Sequence, residues 1–141
     1  MLTARTDLIT HLATLPALSG VATIKPYAGE IAQAVQAGGV LTVALPAAFV
    51  LASGYEATAS ANITRLDVLL VTHTAALDVQ GESGDVLALA EGLVDTLRAD
   101  VDWTAGGRRY IVRLGDGLRA DTLAVAADYS IARVSLTVEA R

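Results

Sequence analysis

The apolar positions change period several times along the chain, and each change marks an element. From Arg5 to Leu15, Leu8, Leu12 and Leu15 recur at spacings of four and three, with Asp7 near the start and Pro16 just past the end. That spacing predicts a short amphipathic helix. Val21 to Tyr27 (VATIKPY) is a β-prone run whose proline restricts it to the edge or end of a sheet. Glu30 to Ala37 (EIAQAVQA), closed by Gly38-Gly39, predicts a second short helix. Val40 to Leu45 is apolar and rich in β-branched residues until Pro46 interrupts it, which predicts a strand, a break, and then a strand or loop over AAFVLASGYEA.

Asn62 to Thr74 (NITRLDVLLVTHT) has the pattern of a central strand. Leu66, Val68 and Leu70 fall on one face and Leu69 and Val71 on the other, so both faces are covered in the middle, and Arg65, Asp67 and His73 mark polar ends. After a polar loop from Asp78 to Asp85 the period returns to 3.6: Val86, Leu87, Leu89, Ala90, Leu93, Val94 and Leu97 form a wide apolar stripe. Ser83 is a candidate N-cap, and Asp85 and Arg98 suit the two ends of the helix dipole. Beyond Trp103 come a strand over Arg108 to Leu114, a turn at Gly115-Asp116-Gly117, a weaker segment from Leu123 to Ala127, and a closing strand, SIARVSLTVEAR. In that last strand Ala132, Val134, Leu136, Val138 and Ala140 alternate with Arg133, Ser135, Thr137, Glu139 and Arg141. The order α, β, α, β, β, α, β, β predicts an α+β fold, a mostly antiparallel sheet with helices packed mainly on one face, in a single domain over residues 1–141.

Composition narrows the chemistry. Hydrophobic residues make up 53% of the 141 and charged ones 18%, which excludes a disordered chain, and the core must be built from Leu, Val, Ile and Ala because there is one Phe and one Trp. The absence of cysteine removes disulfides, thiol catalysis and thiolate zinc sites. The longest apolar stretch, Val40 to Ala52, is too short for a membrane span of about 20 residues and contains Pro46, so no membrane partner is expected. The opening MLTARTDLITHLATLP mixes charged residues into its apolar ones where a signal peptide needs an unbroken block, and a cytoplasmic product is expected. The net charge is −5 with a single lysine, Lys25, a poor balance for neutralising nucleic-acid phosphates.

Candidate sites are few. His73 stands near Asp78, Glu82 and Asp85, but a metal needs three or more convergent ligands, and no His-x-x-x-His or Glu-x-x-His spacing occurs. A solvated loop after a strand end is the simpler reading, and no metal or cofactor is assigned. His11 has no partner nearby in sequence and reads as a surface histidine. Gly106-Gly107 and Gly115-Asp116-Gly117 lack the strand, Lys-Ser/Thr and helix that a phosphate loop requires and read as hairpin turns. No serine stands in Gly-x-Ser-x-Gly, so no catalytic residue is assigned and the chain is not expected to be an enzyme. Arg108, Arg109 and Arg113 are the only basic cluster, either a solvated strand edge or a contact for an acidic neighbour.

Taken in order, the helix DLITHLATL, the region LPAAFVLASGYEA, the strand RLDVLLVTHT, the helix SGDVLALAEGLVDTL and the strand SIARVSLTVEAR resemble the tail-terminator family of tailed bacteriophages, in its Mu-like prophage, contractile-tail branch. The basic hairpin AGGRRYIVRL has no counterpart in that pattern. The resemblance implies a small α+β subunit that forms a homohexameric ring on the tail tube, assembled in the bacterial cytoplasm and located in the virion tail. Its partners would be the tube and sheath proteins and the head connector, with DNA passing through without sequence-specific binding. A ring joins two different patches of one subunit. Arg108, Arg109 and Arg113 are therefore expected to meet Asp78, Glu82 and Asp85 of the adjacent subunit. The alternatives are a ligand-binding or enzymatic α+β domain using a cleft between helix 86–97 and the sheet, or another head-tail completion protein.

Overall fold

The structure is a computed structural model that describes residues 1–32, 41, 43–73, 84–122 and 129–141, the side chains of 84, 85 and 122 excepted. Helix α1 (Leu2–Leu12) is followed by a 3₁₀ turn (Pro16–Leu18) and strands β1 (Thr23–Pro26), β2 (Ala47–Ala57) and β3 (Asn62–His73). Helix α2 (Gly84–Ala99) then leads to β4 (Asp102–Ala105), β5 (Arg108–Val112), a second 3₁₀ turn (Leu114–Asp116), β6 (Arg119–Thr122) and β7 (Tyr129–Ala140). The fold is α+β around one curled, mixed sheet of order β1-β2-β3-β7-β5-β4, with β6 also paired to β7. β1 runs parallel to β2, and each of the other pairings is antiparallel.

The two long strands lie side by side in the middle. β3 and β7 pair from Asn62↔Ala140 to His73↔Tyr129 without a shift, so Leu66, Val68 and Leu70 meet Leu136, Val134 and Ala132 on one face. α1 places Ala4, Leu8 and Leu12 against that face, and α2 adds Val86, Ala90, Leu93 and Leu97, all buried in the same apolar cluster. Spacings of three and four put each set on one helical stripe, which is why burial follows them.

Three local expectations are corrected. α1 begins and ends three residues earlier than the leucine spacing implied, because the amides of Thr14 and Leu15 donate to the carbonyls of His11 and Leu12 at 3.0 and 3.1 Å and wind the chain into 3₁₀ geometry ahead of Pro16. Val40 to Leu45 is not a strand in its described residues, and β2 starts after Pro46 instead. Both edges of β2 are already taken by β1 and β3, so Leu41, Val43 and Leu45 pack over the sheet's second face, onto Ala47, Phe49, Leu69, Val71, Tyr129 and Ile131. The Leu41 amide donates to the Tyr129 hydroxyl at 2.9 Å, which ties this cover to the closing strand.

Trp103 sits in a strand of its own, β4, joined to β5 by Gly106-Gly107 with φ of +60° and +76°, the hairpin turn that those glycines predicted. Gly115-Asp116-Gly117 is no hairpin. β5 and β6 lie end to end along one edge of β7, and residues 113–118 leave that edge and rejoin it. Of the segment expected to form a helix at 30–37, residues 30–32 are helical and the rest lies outside the described residues, as does 123–127.

Candidate functional site

The second face of the sheet has two halves. Around Phe49, Leu69 and Ile131 it is apolar and covered by the segment ahead of β2, whereas toward the other end it is polar and open. The open half forms a trough of about 520 Å³ lined by Glu56 of β2, Arg65 and Asp67 of β3, Ser135 and Thr137 of β7, Arg113 and Asp116 of the excursion between β5 and β6, and Arg119 of β6. The pleat dictates this: residues two apart from Leu69 and Arg133 on adjacent strands, Asp67 and Ser135, point the same way.

Two irregularities give the trough its depth. Between Ala52 and Gly54 the register of β2 against β3 shifts, a bulge that sets Gly54 opposite Arg65. A Cβ at Gly54 would stand 3.3 Å from Cδ of Arg65, so the missing side chain lets the arginine stem lie flat along the sheet. On the opposite side the chain from Arg113 to Gly117 rises as a wall. The Arg113 amide donates to the Thr137 carbonyl at 2.8 Å and its guanidinium pairs with Asp116 at 3.2 Å.

At the floor the Ser135 hydroxyl donates to Asp67 at 2.7 Å, and toward the covered half Arg133 pairs with Asp121 at 3.0 Å. Three arginines and three carboxylates line the trough, so it carries no net charge. Ser53 and Ser135, which both line it, have no described histidine or lysine beside them that could act as a base.

A second polar cluster lies under the β4–β5 hairpin. Asp7 of α1 is only 5% exposed and accepts hydrogen bonds from the Tyr110 hydroxyl and, at 3.2 Å, from Arg108. A buried carboxylate is stable only when bonded in this way. Burial and the neighbouring Asp7 push the Tyr110 phenol far above its ordinary value, so it remains a donor. A Cβ at Gly106 would come within 2.2 Å of Asp7, which leaves glycine as the residue that fits the turn. His11, Trp103 and Tyr110 stack in sequence, with ring centroids 4.3 and 4.6 Å apart. His11 is thus half-buried against an indole rather than a free surface histidine, and burial lowers its pKa against the opposing pull of Asp100.

This geometry gives each arginine of the basic cluster an acid in its own chain. Arg108 bonds Asp7, Arg109 makes a forked pair with Asp102 (Nε to the two carboxylate oxygens at 2.9 and 3.1 Å), and Arg113 bonds Asp116. Asp102 is held below the ordinary carboxylate range by that Arg109 bond. Asp78 and Glu82 lie outside the described residues, and Asp85 falls in the first turn of α2. His73 ends β3, exposed, its ring 5.7 Å from that of Tyr129.

Between α2 and the sheet the space is filled by Val86, Ala90, Leu93 and Leu97, so the described part holds no cleft there, only a hollow beside the helix bounded by Glu91, Asp95 and Leu118. Among the described residues no group of three potential ligands could hold a metal ion, and no helix is long and apolar enough to cross a membrane.

Sequence reasoning identified the polar face of β7 but missed the trough it belongs to. The signal was present in part, since Arg65 and Asp67 alternate with apolar residues of β3 just as Arg133 and Ser135 do on β7. Their union depends on the register of three strands and on the bulge at Gly54, which no local pattern encodes. No protein-family model matches the chain, and no curated protein matches its sequence.

Proposed function

We propose that this chain is a structural subunit of a phage or prophage tail, a tail terminator that assembles into a ring, caps the tail tube and joins it to the head connector. The observation that carries the reading is the open half of the sheet's second face. It is broad, evenly balanced in charge and built from five chain segments, which suits a protein surface better than a small molecule or a polyanion. A ligand pocket is by contrast mostly apolar with a few convergent polar groups.

Further support comes from the order and length of the sequence stretches that resemble the tail-terminator family across nearly the whole chain. In this reading the sheet is mostly antiparallel, α1 and α2 serve one of its faces, and the open half of the other is left for a neighbour. The acidic balance of the chain, −5 overall, suits a channel through which DNA slides without adhering. No enzymatic step, metal or cofactor enters this role. Assembly takes place in the host cytoplasm and the product resides in the virion tail, where the tube and sheath proteins and the head connector are its partners.

Negative-stain imaging of the purified full chain tests the reading. Class averages with sixfold symmetry and a central opening are expected. Particles no larger than a single subunit, at every concentration tried, would overturn it.

A further inference from the structure

Where the chain leaves the edge of β7 between β5 and β6, it turns back at Asp116-Gly117. Asp116 is the one aspartate in the sequence that is followed by glycine. An aspartate and the residue after it share a reaction that needs no other group. The amide nitrogen of the second residue attacks the side-chain carboxyl carbon of the first and closes a five-membered imide, an attack favoured because both partners belong to one chain. A side chain on the second residue hinders that approach. Gly117 has none, and a Cβ built there would meet nothing within 4 Å, so no neighbouring group crowds the site either.

Two restraints hold the dipeptide, and both are slight. The Gly117 amide donates to the Leu114 carbonyl at 3.2 Å, which closes a single 3₁₀ turn with no strand ladder on either side. The Asp116 carboxylate pairs with Arg113 at 3.2 Å, but the two side chains are 39% and 36% exposed, and a pair in that setting holds its geometry weakly. Short exposed turns of this kind open locally without unfolding the domain. Asp116 and Gly117 are both exposed, so water reaches them. Other residues capable of the reaction are locked. Asn62 precedes β-branched Ile63 and pairs with Ala57 and Ala140, while Asp67 and Asp121 stand in ladders ahead of Val68 and Thr122.

We infer that Asp116 is a site of spontaneous backbone modification in the folded protein, converted to isoaspartate through an imide with Gly117. The Gly117 nitrogen bonds to Cγ of the protonated Asp116 carboxyl and gives up its proton, and the carboxyl hydroxyl leaves with that proton as water. A water molecule then adds to one of the two imide carbonyls. Breaking the bond from nitrogen to Cγ restores aspartate; breaking the bond from nitrogen to the main-chain carbonyl leaves the chain running through Cβ and Cγ. The water lost is regained, so mass is unchanged and no oxidant or cofactor takes part. The product has an extra backbone atom in the wall of the trough and a carboxylate on a shorter stem, which displaces the partner of Arg113. The open half of the second face is therefore remade as the protein ages, whether or not copies of the chain assemble.

Isotope labelling of the full chain tests this. The protein is held at neutral pH and body temperature in heavy-oxygen water for several weeks, then digested with trypsin in ordinary water. Cleavage after Arg113 and Arg119 releases peptide 114–119, and cleavage after Arg133 releases 120–133, which carries Asp121. Peptide 114–119 should split with time into two chromatographic peaks of equal mass and take up the label, while 120–133 stays single and unlabelled. Asp116→Glu keeps a carboxylate for Arg113 but would need a six-membered ring, so it should lose both the second peak and the label. The exposed position predicts an unchanged circular dichroism spectrum for that variant. A single, unlabelled 114–119 peptide from the wild type, equal labelling of 120–133, or equal labelling of Asp116→Glu would overturn the inference.

Discussion

At the scale of single residues the informative positions are polar groups in places where polarity is costly. Asp7 is tolerated inside the fold because Tyr110 and Arg108 donate to it, and His11 because its ring stacks on Trp103. Since burial holds the His11 pKa below 6.5, the neutral ring is the form that fits. Its contribution is complete above the unfolded value near 6.5 and is lost as pH falls through the lower folded value. His11→Phe keeps a flat ring on Trp103 and removes the titration. Urea midpoints at about pH 7.5 and about pH 5.5 should therefore differ less in His11→Phe than in wild type. An equal loss in both proteins would place the titrating group elsewhere. None of this was legible from the sequence, where His11 has no neighbour of interest: the stack is made by a hairpin more than ninety residues downstream, about 4.3 Å away in space.

Among the elements, legibility follows length. β3, β7 and α2 carry their period over twelve, twelve and sixteen residues, and each was visible at nearly its observed bounds, with the two faces of β3 assigned correctly. β4 and β6 have four residues each and draw their stability from a ladder partner rather than from a pattern of their own, so nothing local announces them. The run Val40 to Leu45 misleads for a related reason. An apolar, β-branched stretch becomes a strand only where an edge is free, and β1 and β3 occupy both edges of β2.

The same reasoning separates the two sides of α2. Leu93 is fully buried between helix and sheet, and Leu93→Ala should cost about 2–5 kcal/mol of stability. Leu87→Ala, on the exposed side, should leave monomer stability within about 0.5 kcal/mol of wild type. Chemical denaturation curves with unchanged slope check both, and a comparable loss at Leu87 would mean that the outer stripe is covered by this chain itself.

For the molecule as a whole, the sheet divides the labour. The apolar residues of α1 and α2 share one core cluster with Leu66, Val68 and Leu70, half of the second face is closed by the segment before β2, and the remaining half is polar and open. The polar alternation of β7 was readable, and Ser135 and Thr137 from it line this open half. The basic cluster was readable too, but its partners were not, because pairing Arg108 with Asp7 and Arg113 with Asp116 is a property of the folded chain. Those arginines have acids of their own chain beside them, and the surface we propose for a neighbour is the open half of the second face. The account's central claim, that this chain is built to join copies of itself in a closed ring, is tested most directly by native mass spectrometry of the wild-type protein over a range of concentrations. Six copies of the 14.5 kDa chain predict a particle of about 87 kDa that persists on dilution, whereas a 14.5 kDa species alone at every concentration would contradict it.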